Sequence, residues 1–386
     1  MNALERPLCA LADAPWRAHL DRFVTGSGGG VLALPTAKGL YRLAYSDAQQ
    51  PQCLAANAAE GWYDRHFRPE TVFSKFAQHE CVRRIAPDLC LNGFAVESVQ
   101  DLPRHTDDVL VVRPDRSAGS RGSAVMLGLG RETDKIARKV LKDIGGPFLM
   151  HRFEPGEAFF VNGVMSGGRL HLADIWRCFS FVVGCRPVLI SVINMDACDL
   201  PAELPDQLER LAQNIGLRNG PVHFELLHTA KGVRLMKCAA RLATDPLPAL
   251  SRLRRAEGQV DLLARLLGNT STPPPKVPPR RHVADYSFIL TSGGRIKGLK
   301  NPDFIRALPG FHHFHMEPEI DALSGATLDG YSYAATIFLA HEDQAQLLES
   351  IAALDGLNLA GAIHLVDLTQ TMPQTILPLA DFGGHS

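Results

Sequence analysis

The chain has 386 residues, 46% of them hydrophobic and 21% charged, the balance of a folded globular protein, and at this length two or three packed units are expected instead of a single core. Its 40 basic and 41 acidic residues leave a net charge of −1, which excludes the basic surplus of a nucleic-acid binder and the acidic run of a solvated tail. No run of about 18 uncharged apolar residues argues for a membrane span, and residues 1–11 lack the basic segment and apolar stretch of a secretion signal, so a cytoplasmic protein acting on small molecules or other proteins is expected.

In chain order, Gly26-Ser27-Gly28-Gly29-Gly30 precedes the apolar stretch 31–34, but Pro35 and Gly39 follow too soon for a phosphate loop between strand and helix. A turn before a strand is expected there. Residues 73–86 suit a helix, 93–99 a short extended piece, and 109–112 a buried strand stopped by Pro114. The small-residue loop 117–123 follows, either a plain hairpin loop or one whose backbone N–H groups surround phosphate oxygens, an approach that large side chains would block. An amphipathic helix over 135–144 ends at Gly145-Gly146. Strands are expected over 148–153, 158–165 and 169–181, a helix over 204–215 closed by Gly216, and strands over 222–228 and 233–238 around the turn Ala230-Lys231-Gly232.

Helix-like residues 260–267 lead into 271–281, whose five prolines mark a stiff, extended linker. Beyond it a helix over 343–354 places Leu347, Leu348, Ile351 and Leu354 on one face. The cysteines at 9, 53, 81, 90, 178, 185, 198 and 238 form no CxxC pair, as reduced thiols in cores would not. His312, His313 and His315 lack a second ligand cluster at metal-binding spacing, so a histidine patch is the favoured reading.

The order of five segments is informative. VLVVRPDRSAGSRGSAVM (109–126) is followed by FLMHRFEPGEAFFVNG (148–163), GRLHLADIWR (168–177), GLRNGPVHFEL (216–226) and GVRLMKCAARL (232–242). This succession resembles the ATP-grasp superfamily, and within it the L-amino-acid ligases that join a carboxylate to an amine. The resemblance covers about residues 71–355. It implies an α+β fold in which two subdomains, 71–145 and 146–270, sandwich ATP. A reduced N-terminal α/β region (1–70), the proline-rich linker (271–281) and a small C-terminal subdomain (282–386) complete the expected organisation.

The resemblance also implies amide formation through an acyl-phosphate, with Mg²⁺ neutralising the phosphates, small carboxylate and amine substrates, and a homodimer or partner enzyme. Glu225 falls where the family has a metal-binding acid, and Arg241 on the arginine that grips phosphate or carboxylate. Arg113, Ser120, Arg121 and Gly122 match the phosphate-covering segment, Glu154 and Glu157 the hinge acids, and Trp176 and Arg177 a substrate-side pair, with a core position the alternative for Trp176 and a structural ion pair the alternative for Arg241. The departures lie in the same places. Arg113 replaces a lysine, Arg152 and Ala158 replace hinge acids, and Lys237 replaces the second metal-binding glutamate. Lys237 then either supplies its own positive charge to the phosphates or marks a chain that serves as a non-catalytic binding module or partner subunit.

Overall fold

The computed structural model describes residues 25–27, 31–44, 49–103, 108–127, 132–243, 247–254, 257–268, 281–316, 319–366 and 376–378. Residues 28–30 of the glycine run and 271–280 of the expected linker lie outside them. Among the described residues no helix is long and apolar enough to cross a membrane.

Strands β1 (Thr25–Ser27), β2 (Val31–Thr36) and β3 (Gly39–Leu43) form an antiparallel meander, followed by helix α1 (Gln50–Ala59). Leu34, Tyr41, Leu43 and Leu54 from this region join the largest core, so it packs onto the rest of the protein instead of standing apart. The helix expected over 73–86 is two helices, α2 (Glu70–Phe73) and α3 (Lys75–Ile85), broken at Ser74. Ser74 has extended backbone angles and caps α3, its hydroxyl accepting from the Ala77 N–H while donating to Asp115. Asp115 also accepts from the Phe76 N–H, placing a carboxylate on the positive end of the helix.

A four-stranded sheet follows, built from β4 (Gly93–Val96), β5 (Leu110–Pro114), β6 (Ala124–Met126) and β7 (Phe148–Arg152) in the order β4-β7-β5-β6. Helix α4 (Glu132–Ile144) packs on one face, where Leu110, Val112, Phe148 and Met150 meet Ala137 and Leu141. Side chains alternate along a strand, so Arg113 and His151 project from the opposite face.

The large sheet begins with β8 (Gly156–Ser166), β9 (Arg169–Val183) and β10 (Arg186–Met195). The expected elements lacked β10. After helix α5 (Leu204–Ile215), closed by Gly216 in the left-handed region, come β11 (Gly220–Thr229) and β12 (Gly232–Ala239), then helices α6 (Leu247–Arg254) and α7 (Gln259–Leu267). The C-terminal segment supplies β13 (His282–Phe288), β14 (Gly294–Leu299), helix α8 (Pro302–Arg306), β15 (Phe311–Met316), β16 (Leu323–Ser324), β17 (Ala335–His341), helix α9 (Gln344–Leu359), β18 (Ile363–Val366) and β19 (Ile376–Pro378).

The strand order β12-β11-β8-β9-β10-β13-β17-β15, with β19 on β9, makes one nine-stranded sheet. The C-terminal segment therefore extends the sheet of the preceding subdomain, and its core contains Phe181, Val183 and Val188 of β9 and β10. Asp343 caps α9 by accepting from the Ala345 N–H. On that helix Leu347, Ile351 and Leu354 are buried, but Leu348 points to solvent, against the expectation of a shared face. The helical repeat of 3.6 residues separates Leu347 from its immediate neighbour by about 100°.

Candidate active site

The β11–β12 hairpin sets the central geometry. Its register places Glu225 directly opposite Lys237, followed by a bulge before Leu226. Directly paired residues share a face, and the Lys237 ammonium lies 3.8 Å from a Glu225 carboxylate oxygen. Lys237 is buried, whereas 24% of the Glu225 side chain reaches solvent.

Two residues earlier on β11, His223 brings Nε2 to 3.6 Å from the same oxygen. A buried chain of hydrogen bonds holds this ring. Asp174 accepts from Trp176 Nε1 and Asn162 Nδ2, and a carboxylate only accepts, so the Asn162 carbonyl must face His223 Nδ1 at 2.7 Å. His223 Nδ1 therefore carries a proton and donates to that carbonyl. Burial pushes the His223 imidazole below its ordinary value, with Glu225 pulling the other way. For Glu225 burial acts upward, but Lys237, His223 and Arg113 together outweigh it and hold the carboxyl well below the usual carboxylate range.

Arg113 reaches this hairpin from the small sheet, donating through Nη1 to the Met236 carbonyl at 3.0 Å. Arg241, just beyond β12, is buried and donates to the Leu242 carbonyl. Its charge bears on His223. Arg113 and Lys237 thus gather on the Glu225 carboxylate at the junction of the two sheets, with Arg241 beside His223.

The loop after β5 is held by a residue that the sequence reading missed. The buried Lys75 ammonium donates to the carbonyls of Pro114 (2.7 Å), Asp115 (3.1 Å) and Ser117 (2.7 Å) and contacts the Ser117 hydroxyl. Inside the single helix expected over 73–86, nothing local distinguishes this lysine. Gly119, Ser120 and Gly122 all have positive φ, at 57°, 61° and 69°. The loop also packs on the C-terminal segment. The Gly330 N–H donates to the Gly119 carbonyl at 2.8 Å, Arg121 Nε lies 3.2 Å from Asp329, and the Arg121 guanidinium sits over the Tyr331 ring at 5.2 Å.

A Cβ on Gly119 would lie 2.4 Å from the Tyr331 ring. Gly119→Ala is accordingly expected to cost about 1–2 kcal/mol in urea unfolding, from the left-handed backbone and the displaced ring together. A loss below about 0.5 kcal/mol would mean that the half-exposed ring simply swings aside.

The remaining expected residues distribute as follows. Glu154 of the hinge lies 4.0 Å from Arg234, and Glu157 pairs with Arg177 at 3.6 Å. The pairs Glu225–Phe160 and Phe160–Trp176 put Trp176 on the Glu225 face. Alternation sends Arg177 to the other face, so the two cannot flank one pocket as expected. Trp176 is fully buried against Val192, Leu247, Leu250 and Val283, a packing position. Arg121 turns to Asp329 and Tyr331.

A hard divalent cation such as Mg²⁺ requires near-octahedral oxygen ligands at about 2.0–2.1 Å, usually including one or two carboxylates. Among the described residues no group of three His, Cys, Asp or Glu side chains is arranged to hold a metal ion. A cation on Glu225 would also stand close to the Lys237 ammonium. At an effective dielectric near 20, unit charges 4 Å apart interact by about 4 kcal/mol, and a divalent ion doubles the repulsion. The residues present do not fit the usual metal.

No family model matches the chain. Among curated proteins it is similar to dapdiamide A synthase of Enterobacter agglomerans, 26% identical over 184 residues, a match spanning 45% of this chain and 43% of that protein. The chain therefore corresponds to less than half of the length of that relative. Among solved structures it is similar to an L-amino acid ligase from Bacillus licheniformis, with a TM-score of 0.62 at 14% identity over 83% of this chain and 79% of the other. It also matches phosphoribosylglycinamide synthetase from Anaerococcus prevotii, with a TM-score of 0.54 at 11% identity over 83% and 81% of the two chains. An N5-carboxyaminoimidazole synthase from Aspergillus clavatus, solved with ADP, gives 0.54 at 12% identity over 79% of each chain. With its two sheets meeting at the Arg113–Met236 contact and its likeness to these solved structures over most of its length, the chain has the ATP-grasp fold.

Proposed function

We propose that the protein is an ATP-dependent carboxylate–amine ligase, forming an amide between small molecules of which one is an amino acid, in a specialised cytoplasmic pathway. The observation that carries this reading is the gathering of the buried cations Arg113, Lys237 and Arg241 where the two sheets meet, beside a loop whose backbone is turned by three consecutive or near-consecutive positive-φ residues. Such a junction suits a polyphosphate, and positioning with charge neutralisation is what phosphoryl transfer requires.

In the proposed reaction a carboxylate oxygen bonds to the γ-phosphorus of ATP while the bridging P–O bond to ADP breaks. The amine nitrogen then attacks the acyl carbon, the C–O bond to phosphate breaks, and the amine gives up a proton as the amide forms. Arg113 and Lys237 would face the phosphate charge, and Arg241 would steady the carboxylate or the leaving phosphate. The similarity to an L-amino acid ligase and to dapdiamide A synthase supports the reaction class.

A second reading, a non-catalytic binding module or partner subunit, is favoured by the replacement of a metal-binding acid with Lys237. The two are separated by incubating the protein with ATP and pairs of amino acids, with and without Mg²⁺, while reading ADP and the mass of any condensation product. ADP release that depends on one amino-acid pair, with a product lighter than its components by one water, is the expected result. Silence across the panel from protein that still binds ATP would favour the second reading.

A further inference from the structure

Glu225 is the acid at which a divalent ion would be sought, yet its carboxylate faces three other partners. Lys237 lies 3.8 Å away and His223 3.6 Å away, with Arg113 acting on it from the small sheet. Lys237 does not reach this position by chance of a mobile side chain. Register fixes its Cα directly opposite Glu225, in the middle of a hairpin whose backbone is tied to α3 by Gln78, which donates to the Cys238 carbonyl at 2.7 Å and accepts from the Cys238 N–H at 2.9 Å. The ammonium is buried beside the Glu225 carboxylate. A cation approaching that carboxylate would meet a positive charge already seated there.

We infer that the Lys237 ammonium, seated on Glu225, takes the place of a divalent metal ion, so that this chain binds the phosphates of a nucleoside polyphosphate without magnesium. The inference rests on the nucleotide-binding part of the proposed function. Glu225 serves in it as the anchor that orients Lys237, while Arg113 and Arg241 add the further positive charge that a metal would otherwise supply. An ammonium is a point charge with three donors, suited to phosphate oxygens, and unlike a bound metal it neither exchanges with chelator nor depends on divalent concentration.

The test is titration calorimetry of the full chain with ADP and with an ATP analogue whose β–γ bridge resists hydrolysis, each in EDTA and in excess Mg²⁺. Dissociation constants that agree within about threefold between the two conditions are expected for the wild type. Lys237→Glu, which restores a second acid, is expected to bind at least tenfold more weakly in EDTA and to regain affinity with Mg²⁺. Lys237→Met is expected to lose at least tenfold in both conditions, with its fold checked by thermal melting. Wild-type binding that is more than tenfold tighter with Mg²⁺ would overturn the inference and leave the nucleotide reading intact. Absence of binding in both conditions would overturn both, and the wild-type comparison decides the matter even if neither variant folds.

Discussion

Glu225→Ala is expected to lower the unfolding free energy by about 2–4 kcal/mol at neutral pH, because it leaves the buried Lys237 ammonium without its carboxylate. The range sits below that of a fully buried pair, since 24% of the Glu225 side chain meets solvent and screening takes part of the interaction. Urea unfolding checks it. The double variant Glu225→Ala with Lys237→Met should recover most of the loss, because it removes the buried ammonium together with the carboxylate. If the double variant is no more stable than the single one, the pair is not what makes Glu225 costly to remove.

The pH dependence of the wild type follows from the same cluster. The folded-state carboxyl of Glu225 is depressed below its unfolded value, so its contribution is fully present above the unfolded pKa of about 4.3. It is lost as pH falls through the depressed folded value. The acid limb of a stability profile should therefore be shallower in Glu225→Ala than in the wild type.

How much of this was legible in the sequence depended on the range of the interactions involved. The β11–β12 hairpin was readable, because the turn at Ala230-Lys231-Gly232 counts back along two apolar strands to Glu225 and Lys237, a local relation that register then realises. The loop after β5 was readable for the same reason, with glycines concentrated directly behind an apolar strand. The facing of Trp176 and Arg177 was not. Adjacent residues on a strand point to opposite sides, and which of the two shares the Glu225 side depends on pairing through Phe160, a relation that spans three strands. Arg121 was read as a phosphate contact because nothing local shows that Asp329 and Tyr331, two hundred residues on, lie beside it. The helix expected over 73–86 was broken by Ser74, whose partner Asp115 stands on another element. The strand β10 was passed over, although its residues 188–193 are continuously apolar apart from Ser191, the pattern of a strand buried on both faces.

Lys75→Met is expected to cost about 2–3 kcal/mol of stability and to weaken nucleotide binding by at least tenfold, without any change at the Glu225 hairpin. The ammonium donates to three carbonyls and a hydroxyl within residues 114–117, and hydrogen bonds to a charged group contribute about 1.5–3 kcal/mol each in net terms, offset here by the cost of burying the ammonium. A methionine of similar length fills the space but leaves buried carbonyl oxygens without that donor. Peptide C=O and N–H groups point in opposite directions, so gathering the carbonyls of Asp115 and Ser117 onto Lys75 also sets where the N–H groups of Arg116 and Ala118 point. That makes Lys75 a determinant of the backbone presented just ahead of Gly119, and ties the entry of the loop to the first turn of α3. Hydrogen exchange of residues 115–123 reads the effect locally: protection there should fall while protection in β11 and β12 stays at the wild-type level. Unchanged exchange in 115–123, together with a stability loss below about 0.5 kcal/mol, would show that the loop holds its shape through Ser74, Asp115 and the Gly330–Gly119 contact alone.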